Sequence, residues 1–156
     1  MKIQDVNRLI YNPVWIGMLL HYFLSGATAS KNKKLKFELV YIALPFLFDE
    51  KLIQKLISSK KNSTFSSLFK EIELKNKLVR MDNKILAFTA ITNKALVILG
   101  DKIIITDGGF IHTPDSVSYQ KTEDNFRDYC KAAYNLGTIL ANENYRQIFL
   151  KIGAAA

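Results

Sequence analysis

Three side chains in this sequence are of types that often carry out catalysis or bind metals: His21, His112 and Cys130. His21 lies in an apolar run that predicts a helix, His112 lies in a β-prone run, and neither has a carboxylate or nucleophile at motif spacing. Cys130 falls on the apolar side of a predicted helix, where a buried, unreactive thiol is usual. One cysteine and two histidines cannot form a zinc site or an internal disulfide. We therefore expect no catalytic, metal-binding or cofactor-binding residues.

Paired acidic and glycine residues also have structural explanations. Asp49-Glu50 and Glu123-Asp124 fall in the first turns of predicted helices, where carboxylates interact favourably with the helix dipole. Gly108-Gly109 is not followed by the Gly-Lys-Ser/Thr of a phosphate-binding loop, and it predicts a hairpin turn. The sequence therefore does not favour an enzyme.

Basic residues are concentrated in the middle of the chain. The net charge is +8, and residues 31–94 contain 14 Lys or Arg against 6 Asp or Glu, while the rest of the chain is balanced. Such a segment can meet DNA phosphates or an acidic protein surface, although solvated surface lysines are the simpler explanation. The predicted contacts with DNA or an acidic partner are Lys31, Lys33, Lys34, Lys60, Lys61, Lys84 and Lys94.

The first predicted helix starts with Asn12 as its N-cap and Pro13 in its first turn, and ends at Gly26. Its apolar run is much shorter than the roughly 20 residues needed to cross a bilayer. Apolar residues cover nearly its whole circumference, which is typical of a helix buried in a core or an interface. The aromatic residues that could contact a partner protein are Trp15, Tyr22 and Phe23.

Several further elements follow from apolar spacing and capping residues. The first three predicted helices are an apolar one from Leu35 to Phe48 that Pro45 should kink or end, one capped by Asp49, and one capped by Ser63 or Thr64 and running through Leu74. The others are two between Asn76 and Leu99 with Gly100 as the stop, one capped by Thr122, and one at Tyr145–Ile152. The runs on either side of Gly108-Gly109 predict a β-hairpin at Lys102–Thr113. Helices followed by such a hairpin predict a mainly α fold with a small β-hairpin, a winged-helix-like single domain at residues 1–153. Residues 154–156 are expected to be a cloning remnant.

Three short patterns resemble a known family. They are Tyr11-Asn12-Pro13 at the first helix start, Leu44-Pro45 before a charged helix, and the late set Leu136, Gly137, Ile148, Phe149 and Gly153. The chain looks like the middle components of three-component ABC systems, to which the accessory subunit of Lamassu-type bacterial anti-phage systems is similar. The resemblance covers most of the chain.

The resemblance implies a winged-helix-like module without an enzymatic site. It also implies two partners: an SMC- or Rad50-like ABC ATPase that senses foreign DNA, and an effector, such as a nuclease, that stays inactive until then. A non-enzymatic adaptor in a cytoplasmic defence complex is the favoured interpretation. The alternatives are a free-standing winged-helix DNA-binding regulator and, third, an enzyme that uses His21 or His112.

Overall fold

Helices make up most of the fold, and they pack beside a small antiparallel sheet. The computed structural model describes residues 12–32, 34–60 and 62–153. Its α-helices are α1 (Pro13–Ala29), α2 (Ala43–Leu47), α3 (Glu50–Ile57), α4 (Phe65–Leu68), α5 (Ile72–Asn76), α6 (Met81–Leu99), α7 (Asp124–Asn142) and α8 (Tyr145–Ile152). Its strands are β1 (Leu35–Lys36), β2 (Ile104–Thr106) and β3 (Phe110–His112), and 3₁₀ turns occur at Phe37–Ile42, Gly100–Lys102 and Tyr119–Lys121.

Side-chain caps fix the starts of α1 and α3 as the sequence predicts. The Asn12 side chain accepts hydrogen bonds from the backbone N–H groups of Val14 and Trp15 at 3.0 and 3.4 Å. Asp49 caps α3 in the same way, by accepting from the N–H groups of Lys51 and Leu52. These bonds satisfy donors that have no partner inside the helix, so each helix has a defined first turn.

The centre of the core is the crossing of α1 and α7, which contact each other more extensively than any other pair of described elements. The sequence predicts that Gly26 ends α1, but this prediction is wrong. Gly26 lies inside the helix, at this crossing. A Cβ at position 26 would meet the backbone of Tyr134, and one at position 137 would meet the backbone of Phe23. The two glycines therefore let the helix backbones approach closely. Gly137 of α7 thus leaves room for α1.

The predicted helix from Leu35 to Phe48 is correct only in part: Phe37–Ile42 is a 3₁₀ helix and Ala43–Leu47 is α2, but the first two residues are not helical. Leu35 and Lys36 instead form a strand that pairs with Ile111 and Phe110, and this pairing holds the backbone extended. Helix α2 is short, and Pro45 lies in its first turn. A proline is tolerated there because the first N–H groups of a helix have no intrahelical acceptor.

The segment between Thr64 and Leu99 is divided differently from the prediction. Thr64 caps α4 through a capping box with Ser67, but α4 ends at Leu68, and Ile72 is 76% exposed in a separate helix instead of facing the core. The two helices predicted before Leu99 are one continuous helix, α6, which Gly100 ends as predicted.

The hairpin at Lys102–Thr113 is confirmed by β2 and β3, whose turn contains Gly108 and Gly109 with positive φ angles of 88° and 78°. Strand β1 adds to the free edge of β3 and gives the sheet order β1-β3-β2. This third strand is not apparent in the sequence, because it is two residues long and depends on a partner about 75 residues away. The winged-helix interpretation stays a prediction.

The C-terminal helices are close to their predicted bounds. Helix α7 starts one residue later than expected, with Glu123 and not Thr122 at the N-cap position. The Thr122 hydroxyl instead lies 3.0 Å from the hydroxyl of Tyr22, so it links α7 to α1. The bounds of α8 are confirmed, and Ile148 and Ile152 lie in the core.

Candidate functional site

The aromatic residues predicted at a partner interface lie mainly inside the chain's own core. Phe23 is fully buried, and Trp15 is 6% exposed with its ring 5.9 Å from that of Phe48. Tyr22 is half-buried and contacts Thr122. A residue that contacts a partner must have exposed surface that binding can bury. Trp15 and Phe23 have almost none, so the structure places them in the core instead. Contact with a partner stays a prediction for Tyr22.

Four of the lysines predicted to contact DNA or an acidic partner are exposed: Lys31, Lys34, Lys60 and Lys94. Two more, Lys33 and Lys61, lie outside the described residues. Lys84 is half-buried, and its ammonium group lies 3.9 Å from Asp49, which Lys77 also contacts at 3.2 Å. The exposed lysines belong to three different segments: the α1–β1 connection, the residues after α3, and α6. Their contacts stay predictions.

The positions of the two histidines are explained by their places in the fold. His21 is buried in α1, and its Nε2 donates to the carbonyl oxygen of Asp115 at 2.5 Å, which ties α1 to the segment after β3. His112 is half-buried on β3. Within the described ranges, no three metal-ligating side chains converge.

Cys130 is fully buried in α7. Burial raises the pKa of its thiol from 9.0 to about 11, and a hydrogen bond with Thr122 offsets this only in part. A thiol with this pKa is almost entirely protonated at neutral pH, and the thiolate is the nucleophilic form. The chemistry of Cys130 is therefore that of a core residue.

The outward side of α6 carries a stripe of exposed apolar residues, within which Asn93 accepts a hydrogen bond from the Tyr41 hydroxyl at 2.5 Å. We call it the α6 face; its exposed residues are Leu86, Ala87, Ala90, Asn93, Lys94 and Val97. Leu86 is 71% exposed and Val97 is 80% exposed, although both are large aliphatic residues. Leu86, Ala90, Asn93 and Val97 follow one another at steps of four, three and four, the spacing at which one helix packs along another. The α6 face therefore has the geometry of a helix-binding surface.

A groove of about 870 Å³ lies between the α4–α5 connection, the start of α6 and the end of α8. We call it the Arg80 groove. Apolar side chains on its wall include Phe69, Leu78, Val79 and Leu150, and its cations are Lys70, Lys75, Arg80 and Lys151. Arg80 has φ 61° and ψ 21°, and it is the one non-glycine residue with positive φ in the described part of the chain. Such a conformation costs about 1–3 kcal/mol and often marks a functional position.

Sequence reasoning missed both surfaces. The spacing of Leu86, Ala90 and Val97 could have indicated an apolar stripe, but nothing local distinguishes a stripe that faces solvent from one that faces the core. The Arg80 groove gives no sequence signal, because residues 66–82 form it together with residues 150–153, which lie far away in the chain.

Comparison with known proteins identifies the family. A family model matches residues 1–154, and it describes middle components of three-component ABC systems. The chain belongs to this family, ABC-three component (ABC-3C) system Middle Component 3. No curated protein and no solved structure matches the chain significantly. The resemblance to middle components is thereby confirmed, and the resemblance to the Lamassu accessory subunit stays a prediction. Among the described helices, none combines the length and apolar character needed to cross a membrane.

Proposed function

We propose that the protein is a non-enzymatic accessory subunit that joins an SMC- or Rad50-like ABC ATPase to an effector, such as a nuclease, in a cytoplasmic anti-phage complex of the Lamassu type. In this role it helps to keep the effector inactive until foreign DNA is sensed. Family membership supports the proposal, since a middle component works beside other components. His21 is buried and hydrogen-bonded to the backbone of Asp115, and Cys130 is buried in the core. Both observations support a role without catalysis.

The observation that carries the proposal is the α6 face. Leu86 and Val97 are largely exposed, and burying an aliphatic side chain of this size contributes about 1.5–3 kcal/mol. Monomeric proteins seldom expose large contiguous apolar patches, because such patches favour association. An apolar helix of a partner subunit would cover the stripe, with Ala90 between the two larger residues allowing close approach.

The experiment is reconstitution with the neighbouring components. The chain is purified with the products of its two flanking genes, and the assembly is measured by size exclusion with light scattering. We expect a stable complex of more than one kind of subunit. If the three proteins elute separately at micromolar concentration, the proposal is refuted.

Two variants test whether the α6 face is the contact. Replacing Leu86 and Val97 together with glutamate keeps a good helix former at each position but puts charge into the stripe. We expect the affinity for the partner to fall by about 100-fold or more, since each lost aliphatic contact alone is worth about tenfold. Ile72→Glu is the matched control, because Ile72 is 76% exposed on a different helix. An equal loss in the control would show that the effect does not come from the α6 face.

The second candidate is a winged-helix DNA-binding regulator. The sheet order β1-β3-β2, with β1 following α1 and the hairpin following α6, supports this interpretation. In it α6 would enter the major groove. The α6 face opposes it, because among the outward residues of this helix Lys94 is a free cation while Leu86, Ala90 and Val97 are apolar.

DNA binding separates the two candidates. A regulator that neutralises several phosphates loses orders of magnitude in affinity between 50 and 200 mM salt. The isolated chain is titrated into labelled duplex DNA and followed by fluorescence anisotropy at both salt concentrations. Tight, strongly salt-dependent binding favours the regulator, and absence of binding by a chain that still assembles with its neighbours favours the adaptor.

A further inference from the structure

The Arg80 groove combines an apolar wall with a basic rim. Val79 and Leu150 are each 64% exposed, and both line the groove, whose volume is about 870 Å³. Phe69, Leu78 and Ile152 lie deeper and join this wall to the core. The groove is therefore large enough, and apolar enough, to take several side chains of a bound segment.

The charge of the groove is strongly one-sided. Lys70, Lys75, Arg80 and Lys151 line it, against the single carboxylate of Asp82. In the described part of the chain, Lys70, Lys75 and Arg80 form no ion pair, and Lys151 donates to the hydroxyl of Ser66 at 2.5 Å.

Three other lysines near α3 and α5 have acidic partners within the chain. Lys51 pairs with Glu73, and Lys77 and Lys84 contact Asp49. The cations of the groove therefore lack the internal partners that their neighbours have, and they are available to an acidic ligand.

The backbone at Arg80 adds an independent observation. Its left-handed conformation places a sharp reversal at the start of α6, directly before Met81, which is fully buried. A glycine would adopt this conformation without strain, yet the position holds the largest cationic side chain. A strained backbone that presents a guanidinium at the edge of a groove is typical of a binding position.

We propose that the Arg80 groove binds an acidic, amphipathic segment of a partner subunit. The apolar side chains of the segment contact the wall at Val79 and Leu150, and its carboxylates meet Lys70, Lys75 and Arg80. This inference rests on the proposed function, in which the chain works inside a multi-subunit complex. The groove is a second contact whose lining residues differ from those of the α6 face, although it adjoins the start of α6.

A polypeptide suits the groove better than DNA. Proteins bind nucleic-acid backbones with rows of cations and polar donors. In the Arg80 groove, aliphatic side chains instead occupy the wall between the cations. Acidic side chains alternating with apolar ones complement both parts of the surface, and the charges would speed association and fix register.

The test uses the whole chain and synthetic peptides of about fifteen residues that tile the two neighbouring subunits. Binding is measured by fluorescence anisotropy. We expect at least one acidic, amphipathic peptide to bind, with an affinity that falls as salt rises from 50 to 300 mM. The double variant Lys75→Glu and Arg80→Glu is expected to weaken it at least tenfold, and so is Leu150→Glu. The control Ile72→Glu should bind within twofold of the wild type, and the urea unfolding midpoint of each variant shows that it folds.

The outcomes separate this inference from the proposed function. If the three components assemble but no tiling peptide binds in a groove-dependent way, the groove proposal is wrong and the adaptor role stands. If the components do not assemble at all, the adaptor role is wrong. Competition by duplex DNA at equal affinity, or a dimer of the chain alone that Leu150→Glu dissociates, would overturn the choice of an acidic segment as the occupant.

Discussion

Replacing Gly26 with alanine is expected to destabilise the protein, because α1 and α7 come closest there. A Cβ at position 26 would lie 2.7 Å from the carbonyl carbon of Tyr134, and one at position 137 would lie 2.9 Å from that of Phe23. Cβ contacts below 3.0 Å essentially never occur in proteins. The obstacles are backbone atoms inside helices, which cannot rotate away as a side chain can. Either alanine therefore pushes the two helices apart.

The magnitude follows from two opposing effects. Alanine in a helix interior is favoured over glycine by about 0.5–1 kcal/mol. Forcing an extra carbon into a packed core costs about 1–3 kcal/mol and sometimes more, and the upper end applies because the central helix pair must move. We expect Gly26→Ala to lower the free energy of unfolding by about 2 kcal/mol. For a protein of this size that corresponds to a melting temperature lower by about 4–8 °C.

Urea unfolding followed by the fluorescence of Trp15, the single tryptophan, provides the assay. The matched control is Gly17→Ala in the same helix, where a Cβ would lie 3.6 Å from the carbonyl oxygen of Ala95, an ordinary contact distance. The control should be as stable as the wild type or up to about 1 kcal/mol more stable. Alanine at both Gly26 and Gly137 should cost less than the sum of the single changes, since the first already separates the helices. If Gly26→Ala unfolds at the same urea concentration as Gly17→Ala, the close crossing does not exist.

Three further predictions concern other positions. Arg80→Gly should be more stable than Arg80→Ala by about 1 kcal/mol in urea unfolding, because only glycine relieves the positive φ, and equal stability would contradict the strained conformation. Burial raises the pKa of Asp49, but hydrogen bonds from the Leu52 N–H and from Lys77 outweigh it and hold the pKa below 3.8. The ionised form therefore stabilises the fold above about pH 4, and this stabilisation is lost as the pH falls. The stability advantage of the wild type over Asp49→Asn should shrink below about pH 4, and a pH-independent difference would argue against the effect. Cys130 should react with a thiol reagent at pH 8 only after unfolding, and rapid labelling of the folded protein would show that the thiol is not buried.

Local chemistry explains which parts of the fold could be predicted. The starts of α1 and α3 are correct because Asn12 and Asp49 bond to N–H groups two or three residues away. The hairpin is correct because its turn needs the positive φ angles that Gly108 and Gly109 supply. In each case the cause and the structure lie within a few residues of each other.

Parts that depend on distant residues could not be predicted. A glycine can end a helix or allow another helix to approach, and only the presence of Tyr134 beside Gly26 decides between the two. Trp15 looks equally suitable for a core or an interface until Phe48 and Tyr129 are seen around it. The same holds for β1, whose partner strand is far along the chain.

The crossing of α1 and α7 also sets the time at which this chain can fold during its synthesis. Helix α1 ends at Ala29, and its main partner begins at Asp124. Ribosomes add about 5–20 residues per second, so α7 is synthesised several seconds after α1. During this time the apolar surface of α1 lacks its main packing partner. Contacts of such long sequence separation also form slowly, because loop closure must come first. A nascent chain that stalls before α7 therefore exposes a long and largely apolar helix, and we expect it to depend on chaperones or to be degraded.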